Sequence, residues 1–115
     1  MNKYIPKESV EDQKDDYVLL KFSVPSTSPF FDGHFPNFKL LPAVVQFELV
    51  MRYADRYFHC GIEPKKIKRI KFSDMIKPND ELHMELTYNK IDSKITFVIT
   101  SPDKSKTYSK GGIQL

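Results

Sequence analysis

The chain predicts an α+β fold, an antiparallel sheet packed on one long helix, from three observations. Pro42 to Phe58 is the one segment with a sustained helical period. At least four other segments are β-branched and aromatic or alternate apolar with polar residues. The later of these are separated by turns of only a few residues, which suits a meander of neighbouring strands. At 115 residues the chain has the length of a single domain.

Taken in order, residues 1–16 are polar and charge-dense, contain Pro6 and hold no sustained period, so they read as a loosely held lead-in with at most one short ordered turn. The domain proper is expected over residues 17–115. Tyr17 to Val24 supplies a first strand that Pro25 limits. Ser26 to Pro36 is rich in turn formers yet carries large apolar and imidazole side chains, the mixture of an ordered loop folded on a core. In the helix, Pro42 falls in the first turn, where its missing N–H costs nothing, and Gly61 stands at a plausible C-cap. The element should be about 25 Å long. Phe47, Val50, Met51, Ala54, Tyr57 and Phe58 fall on one apolar side, opposite Arg52, Asp55, Arg56 and His59. Around its first half, Val44, Val45, Phe47, Leu49 and Val50 leave almost no polar face, so that half should be buried. Lys66 to Phe72, Glu81 to Tyr88, a segment centred on Ile95, Phe97 and Ile99, and Thr107 to Ile113 complete the strands; Gly111 and Gly112 weaken the last.

Composition excludes several classes. The lone Cys60 can form no internal disulfide and no cysteine cluster for a metal, and packing near the helix end is its expected role. His59 and His83 have no ligand-like spacing, so no metal is expected. No stretch approaches the roughly 20 apolar residues of a membrane span, and Met1 to Asp16 lacks the apolar run of a secretory signal. A cytoplasmic protein is the expectation. A net charge of +3 is too small to indicate nucleic acid as the partner.

Two residues stand out chemically. His34 lies between Gly33 and the Phe35-Pro36 pair; the glycine leaves room beside the imidazole, and the proline holds Phe35 out of helical geometry. Glu48 is the only ionisable residue in the first ten positions of the helix, with Val44 and Val45 one turn earlier. Desolvation there would favour the protonated acid. Such a pair can divide a proton transfer between base and acid, and the Ala43 N–H at the helix start could donate to a developing oxyanion. On pattern alone, His34 reads also as a satisfied loop histidine and Glu48 as the first residue of a solvated face.

Phe30-Phe-Asp-Gly-His-Phe-Pro36 followed by Leu41-Pro-Ala-Val-Val-Gln-Phe-Glu48 resembles the signature of the hotdog-fold 3-hydroxyacyl-(acyl-carrier-protein) dehydratases. The likeness continues through Phe72 and Ile76-Lys-Pro-Asn-Asp-Glu-Leu82, covers roughly Tyr17 to Ile113, and is closest to the small dehydratase-like proteins of aryl polyene lipid pathways. The resemblance implies a long central helix wrapped by a curved sheet, and a homodimer whose active sites lie at the interface. It matches His34 to the catalytic histidine, Glu48 to the carboxylic acid and Pro42 to the helix-opening proline. It implies dehydration of a (3R)-3-hydroxyacyl thioester, with Ala43 as backbone oxyanion donor and Phe31, Leu40, Leu41, Val44 and Val45 as tunnel lining or ordinary core. No cofactor is implied beyond the phosphopantetheine arm on which an acyl carrier protein presents its substrate.

Three positions depart from the family pattern. Ala43 stands where glycine is usual and adds a methyl beside the thioester, Lys39 stands where proline is usual, and Asn79 replaces a turn glycine. Lys65, Lys66, Lys68, Arg69 and Lys71 form the densest basic run, readable as a carrier docking site or as a solvated edge strand guarded against aggregation. An acyl-thioester hydrolase and a non-catalytic accessory subunit, in a hetero-oligomer with a related chain, are the competing expectations.

Overall fold

The computed structural model describes residues 5–31, 40–61 and 66–115, with Phe31 and Lys68 described by their backbone alone. Strands β1 (Ser9–Lys14) and β2 (Tyr17–Phe22) form a hairpin, and a 3-10 turn at Pro29–Phe31 precedes helix α1 (Ala43–Phe58). Strands β3 (Lys66–Phe72), β4 (Leu82–Asn89), β5 (Lys94–Thr100) and β6 (Thr107–Gln114) follow. All six pair antiparallel in the order β1-β2-β4-β5-β6-β3, so β1 and β3 are the sheet edges.

Alternation decides which face of the sheet meets the helix. Val18, Leu20 and Phe22 on β2, Leu82, Met84 and Leu86 on β4, and Ile95, Phe97 and Ile99 on β5 are all buried. Residues between them point outward, as period-2 geometry requires. From the helix, Leu49, Val50, Met51, Tyr53 and Ala54 enter the same core, and the Tyr53 ring meets Phe22 at 5.4 Å between centroids. The buried arc is therefore rotated from the expected one. Leu49 and Tyr53 join Val50, Met51 and Ala54 in it, while Phe47, Tyr57 and Phe58 are only partly buried. The sheet covers a single side of the helix, so the first half is not buried all round: Val44 is 74% exposed.

The loose lead-in expected over residues 1–16 gives way to a strand at Ser9–Lys14. Every residue of β1 is exposed, so no apolar alternation announces it. It is held instead by its ladder to β2, with a bulge at Glu11, and by polar contacts just before it. The Tyr53 hydroxyl donates to the Pro6 carbonyl at 2.6 Å. Glu8, its side chain only 6% exposed, accepts from Arg56 Nη1 and, at 2.6 Å, from the Tyr57 hydroxyl. Burial pushes the Glu8 carboxyl up, but the hydrogen bonds from Arg56 and Tyr57 outweigh it and hold the group below its ordinary value. Burial, reinforced by Glu8, pushes the Tyr57 phenol up to about 12.

At the other end of α1, His59 rather than Gly61 makes the stop. It adopts the left-handed conformation (φ 54°, ψ 41°) and its N–H returns to the Asp55 carbonyl at 2.8 Å. The Asp55 side chain then accepts the Gly61 N–H at 2.9 Å. Among the described residues no helix is long and apolar enough to cross a membrane.

Candidate active site

The start of α1 is clamped from both sides. The Leu41 N–H donates to the Ile76 carbonyl at 2.9 Å, tying the approach of the helix to the segment before β4. The Leu41 carbonyl accepts from Gln46 Nε2 at 3.3 Å. Pro42, extended at φ −62° and ψ 150°, caps the helix with its carbonyl, which receives the Val45 and Gln46 amides at 3.1 Å each. Among the described residues the amides of Ala43 and Val44 meet no acceptor, and both residues are exposed. These are two of the orphan donors every helix start presents, and no acidic side chain occupies the first turn to mask them.

Val44, Glu48 and Arg52, spaced four apart, form one stripe on the side of α1 away from the sheet. Glu48 is part-buried and ion-paired rather than enclosed by apolar side chains as the sequence suggested. Its side chain is 32% exposed, and Arg52 Nε lies 2.8 Å from its Oε1. The physical reason is the same one that leaves Val44 open: among the described residues nothing packs over that side of the helix.

The other expected site residues divide. Leu41 belongs to the core, Val45 packs against it, and Leu40 is half-buried. His34 lies outside the described residues, as do Lys65 and the side chains of Phe31 and Lys68, so the expected meeting of His34 with Glu48 is not placed. The entrance to the histidine loop is placed. Phe30 is buried and its N–H donates to Ser28 Oγ at 3.2 Å, while the Ser28 N–H returns to the Pro25 carbonyl at 2.9 Å. Lys66, Arg69 and Lys71 are exposed on β3.

Gln46 is a residue the sequence reading passed over. It is 4% exposed, and its Oε1 has no partner among the described residues. A buried amide in the first turn of an otherwise apolar half-helix is the signal that could have found it. Its Nε2, by holding Leu41, fixes the residue pair that presents the Ala43 amide.

Comparison with known proteins identifies the architecture. The model of a family described as ApeI-like, ApeI dehydratase, matches residues 9–112. The 3-hydroxyacyl-(acyl-carrier-protein) dehydratase FabZ of Streptococcus pyogenes serotype M3 is 28% identical over 99 residues, spanning 79% of this chain and 70% of that protein. Among solved structures, the dehydratase heterocomplex ApeI:P from Xenorhabdus doucetiae superposes with a TM-score of 0.84 at 28% identity, covering 95% of this chain and 96% of that one. An uncharacterized protein from Erwinia carotovora subsp. atroseptica gives 0.77 at 29% identity, covering 95% and 94%. A hypothetical thioesterase from Streptococcus pneumoniae, solved with coenzyme A, gives 0.71 at 11% identity, a likeness of fold alone. With a six-stranded antiparallel sheet on one long helix and a family match over nearly its whole length, this chain belongs to the ApeI-like dehydratase family of the hotdog fold.

Proposed function

We propose that this protein dehydrates a (3R)-3-hydroxyacyl thioester to the trans-2-enoyl thioester, with its site completed by a second subunit. His34 takes a proton from C2, which the adjacent carbonyl acidifies. Negative charge builds on the thioester oxygen, and the Ala43 amide at the positive end of α1, which has no acceptor among the described residues, is suited to receive it. The C3–O bond breaks, the Glu48 carboxyl supplies the proton, and water and the enoyl thioester leave. The alanine methyl at position 43 leaves the N–H intact.

One observation carries the reading: a helix start whose Ala43 and Val44 amides meet no acceptor among the described residues, followed along the same stripe by Val44 and Glu48. A valine 74% exposed beside a carboxylate is a surface awaiting cover. The cover is expected across β3, whose outer edge pairs with no strand among the described residues and whose Ile67 and Phe72 are 51% and 45% exposed. Two such edges joining would continue the sheet and bring a second copy over α1. A related subunit could take the same position, since the Xenorhabdus neighbour is a dehydratase heterocomplex. The thioester arrives on the phosphopantetheine arm of an acyl carrier protein in fatty-acid or aryl-polyene-type lipid synthesis.

The test is turnover of 3-hydroxyacyl and saturated acyl pantetheine thioesters by the purified protein. Enoyl absorbance is expected from the first substrate, with a loss of about a hundredfold or more in His34→Ala and Glu48→Gln. Thiol release without enoyl formation would mark a hydrolase instead. No turnover in any oligomeric state would mark an accessory subunit, and native mass measurement distinguishes a homodimer from a mixed assembly.

A further inference from the structure

Gln46 grips two successive carbonyls at the start of α1. Its backbone N–H donates to the Pro42 carbonyl at 3.1 Å, and its side-chain Nε2 donates to the Leu41 carbonyl at 3.3 Å. Together these bonds fix two adjoining peptide planes. The Pro42 carbonyl and the Ala43 N–H share one of them and point in opposite directions across the trans bond. Drawing that carbonyl into the first turn therefore turns the Ala43 N–H out of the helix end. The other plane, between Leu41 and Pro42, is joined to it through a ring that holds φ at −62°. Only the Pro42 ψ is left to swing the amide, and Gln46 clasps the chain on both sides of that bond.

Packing alone does not explain an amide at this position. Gln46 is buried with Leu49, Val50, Met51, Tyr53 and Ala54. A carbonyl can be met only by a donor, so Nε2 faces Leu41 and Oε1 is left without a partner among the described residues. Burying an amide oxygen unpaired costs free energy that an apolar side chain of similar volume would not incur. What the amide adds is the hold on Leu41, whose N–H is already tied to the buried Ile76 at 2.9 Å. Gln46 also lies about 200° round the helix from Glu48, so it acts from the side of the sheet and not from the stripe that carries the acid.

We propose that Gln46 is a positioning residue that, resting on the dehydratase reading above, aims the Ala43 amide at the thioester oxygen without touching the substrate. Charge on that oxygen develops only as C2 loses its proton. An amide held in place therefore stabilises the transition state more than the bound substrate. Without the Nε2 bond the Ala43 N–H is still present, but it swings with the Pro42 ψ. The loss then falls on kcat and leaves KM in place.

The experiment compares wild type with Gln46→Met and Gln46→Leu on a 3-hydroxyacyl pantetheine thioester. Both variants keep an apolar side chain of similar volume and remove the donor together with the unpaired oxygen. The expected result is a fall in kcat of about tenfold to a hundredfold, with KM and Tm close to wild type. NMR relaxation of the protein without substrate supplies a second readout. The order parameters of the Ala43 and Val44 N–H groups should fall in both variants, while those of Leu49 to Ala54 hold. Wild-type kcat in a folded variant overturns the proposal, as does a rise in KM with kcat unchanged, or a fall in Tm that accounts for the lost activity. Unchanged order parameters at Ala43 and Val44 overturn it as well. That readout needs no turnover, so failure of the positioning role is distinguished from failure of the dehydratase reading, which shows as an inactive wild type.

Discussion

Placing a methyl group on Gly111 tests the packing that joins β6 to β3 at the edge of the sheet. A Cβ at this position would lie 2.7 Å from Ile70 Cγ1, 3.0 Å from the Ile70 Cα and 3.2 Å from the Phe97 ring. Its backbone is not left-handed, so the whole cost of Gly111→Ala is steric. The Ile70 side chain can turn aside, but its Cα belongs to β3, where the ladder to β6 is already irregular between Lys68 and Lys71. Overpacking of this kind costs about 1–3 kcal/mol. For a chain of this size that lowers Tm by roughly 4 °C per kcal/mol. Denaturant titration of Gly111→Ala, Ile70→Ala and the double variant forms a closed cycle. Since Ile70→Ala removes the nearest clashing atom, the double variant should be about 1 kcal/mol more stable than the sum of the single losses. A Gly111→Ala variant within about 0.5 kcal/mol of wild type, or strict additivity, would refute the packing argument.

Acid should release the amino-terminal hairpin first. Arg56 and Tyr57 hold Glu8 below its ordinary value, so its contribution is complete above the unfolded pKa of about 4.3 and drains away as pH falls through the folded one. Hydrogen exchange in β1 should therefore rise on acidification, and Glu8→Gln should flatten that acid limb; an unchanged limb would exclude Glu8 as its origin. Glu48→Gln should cost no more than about 0.5 kcal/mol of stability, because its partner Arg52 is a half-exposed i,i+4 neighbour, even though its turnover collapses. A large stability loss on denaturant titration would mean that the carboxylate is structural. Asn79 sits at φ 67° with its N–H on the Val24 carbonyl at 2.8 Å. Asn79→Gly should be neutral or stabilising by a few tenths of a kcal/mol, and Asn79→Val should cost about 1 kcal/mol or more. Equal thermal midpoints for the two would remove the left-handed requirement from that turn.

What could be read from the residues follows their periodicity. Leu82, Met84 and Leu86 announce β4, and Ile95, Phe97 and Ile99 announce β5, because alternate burial is written directly in alternate side chains. Pro42 announced the start of α1 for an equally local reason, its missing N–H. The strand at Ser9–Lys14 was illegible, since all its side chains face solvent and its anchors, Tyr53, Arg56 and Tyr57, lie more than forty residues away. The helix stop was misread because glycine is the usual left-handed residue, whereas here His59 takes that conformation and Asp55 fastens the chain beyond it.

The candidate site divides along the same line. Motif and spacing nominate His34, Glu48 and the Ala43 amide, because an acid, a base and a helix start are properties of residue type and local order. Their surroundings are not local. Whether Glu48 is desolvated depends on what lies across the helix, and among the described residues its partner is Arg52, with about a third of its side chain exposed. Whether the helix start is held from outside depends on which segment lies beside it. The amino-acid order thus determined the elements and the reactive groups, through backbone preference and side-chain alternation. Only the tertiary structure decided which side of α1 meets the sheet, and that Ile76 holds the approach to the helix through Leu41, because burial and long-range hydrogen bonds arise between segments that sequence keeps far apart.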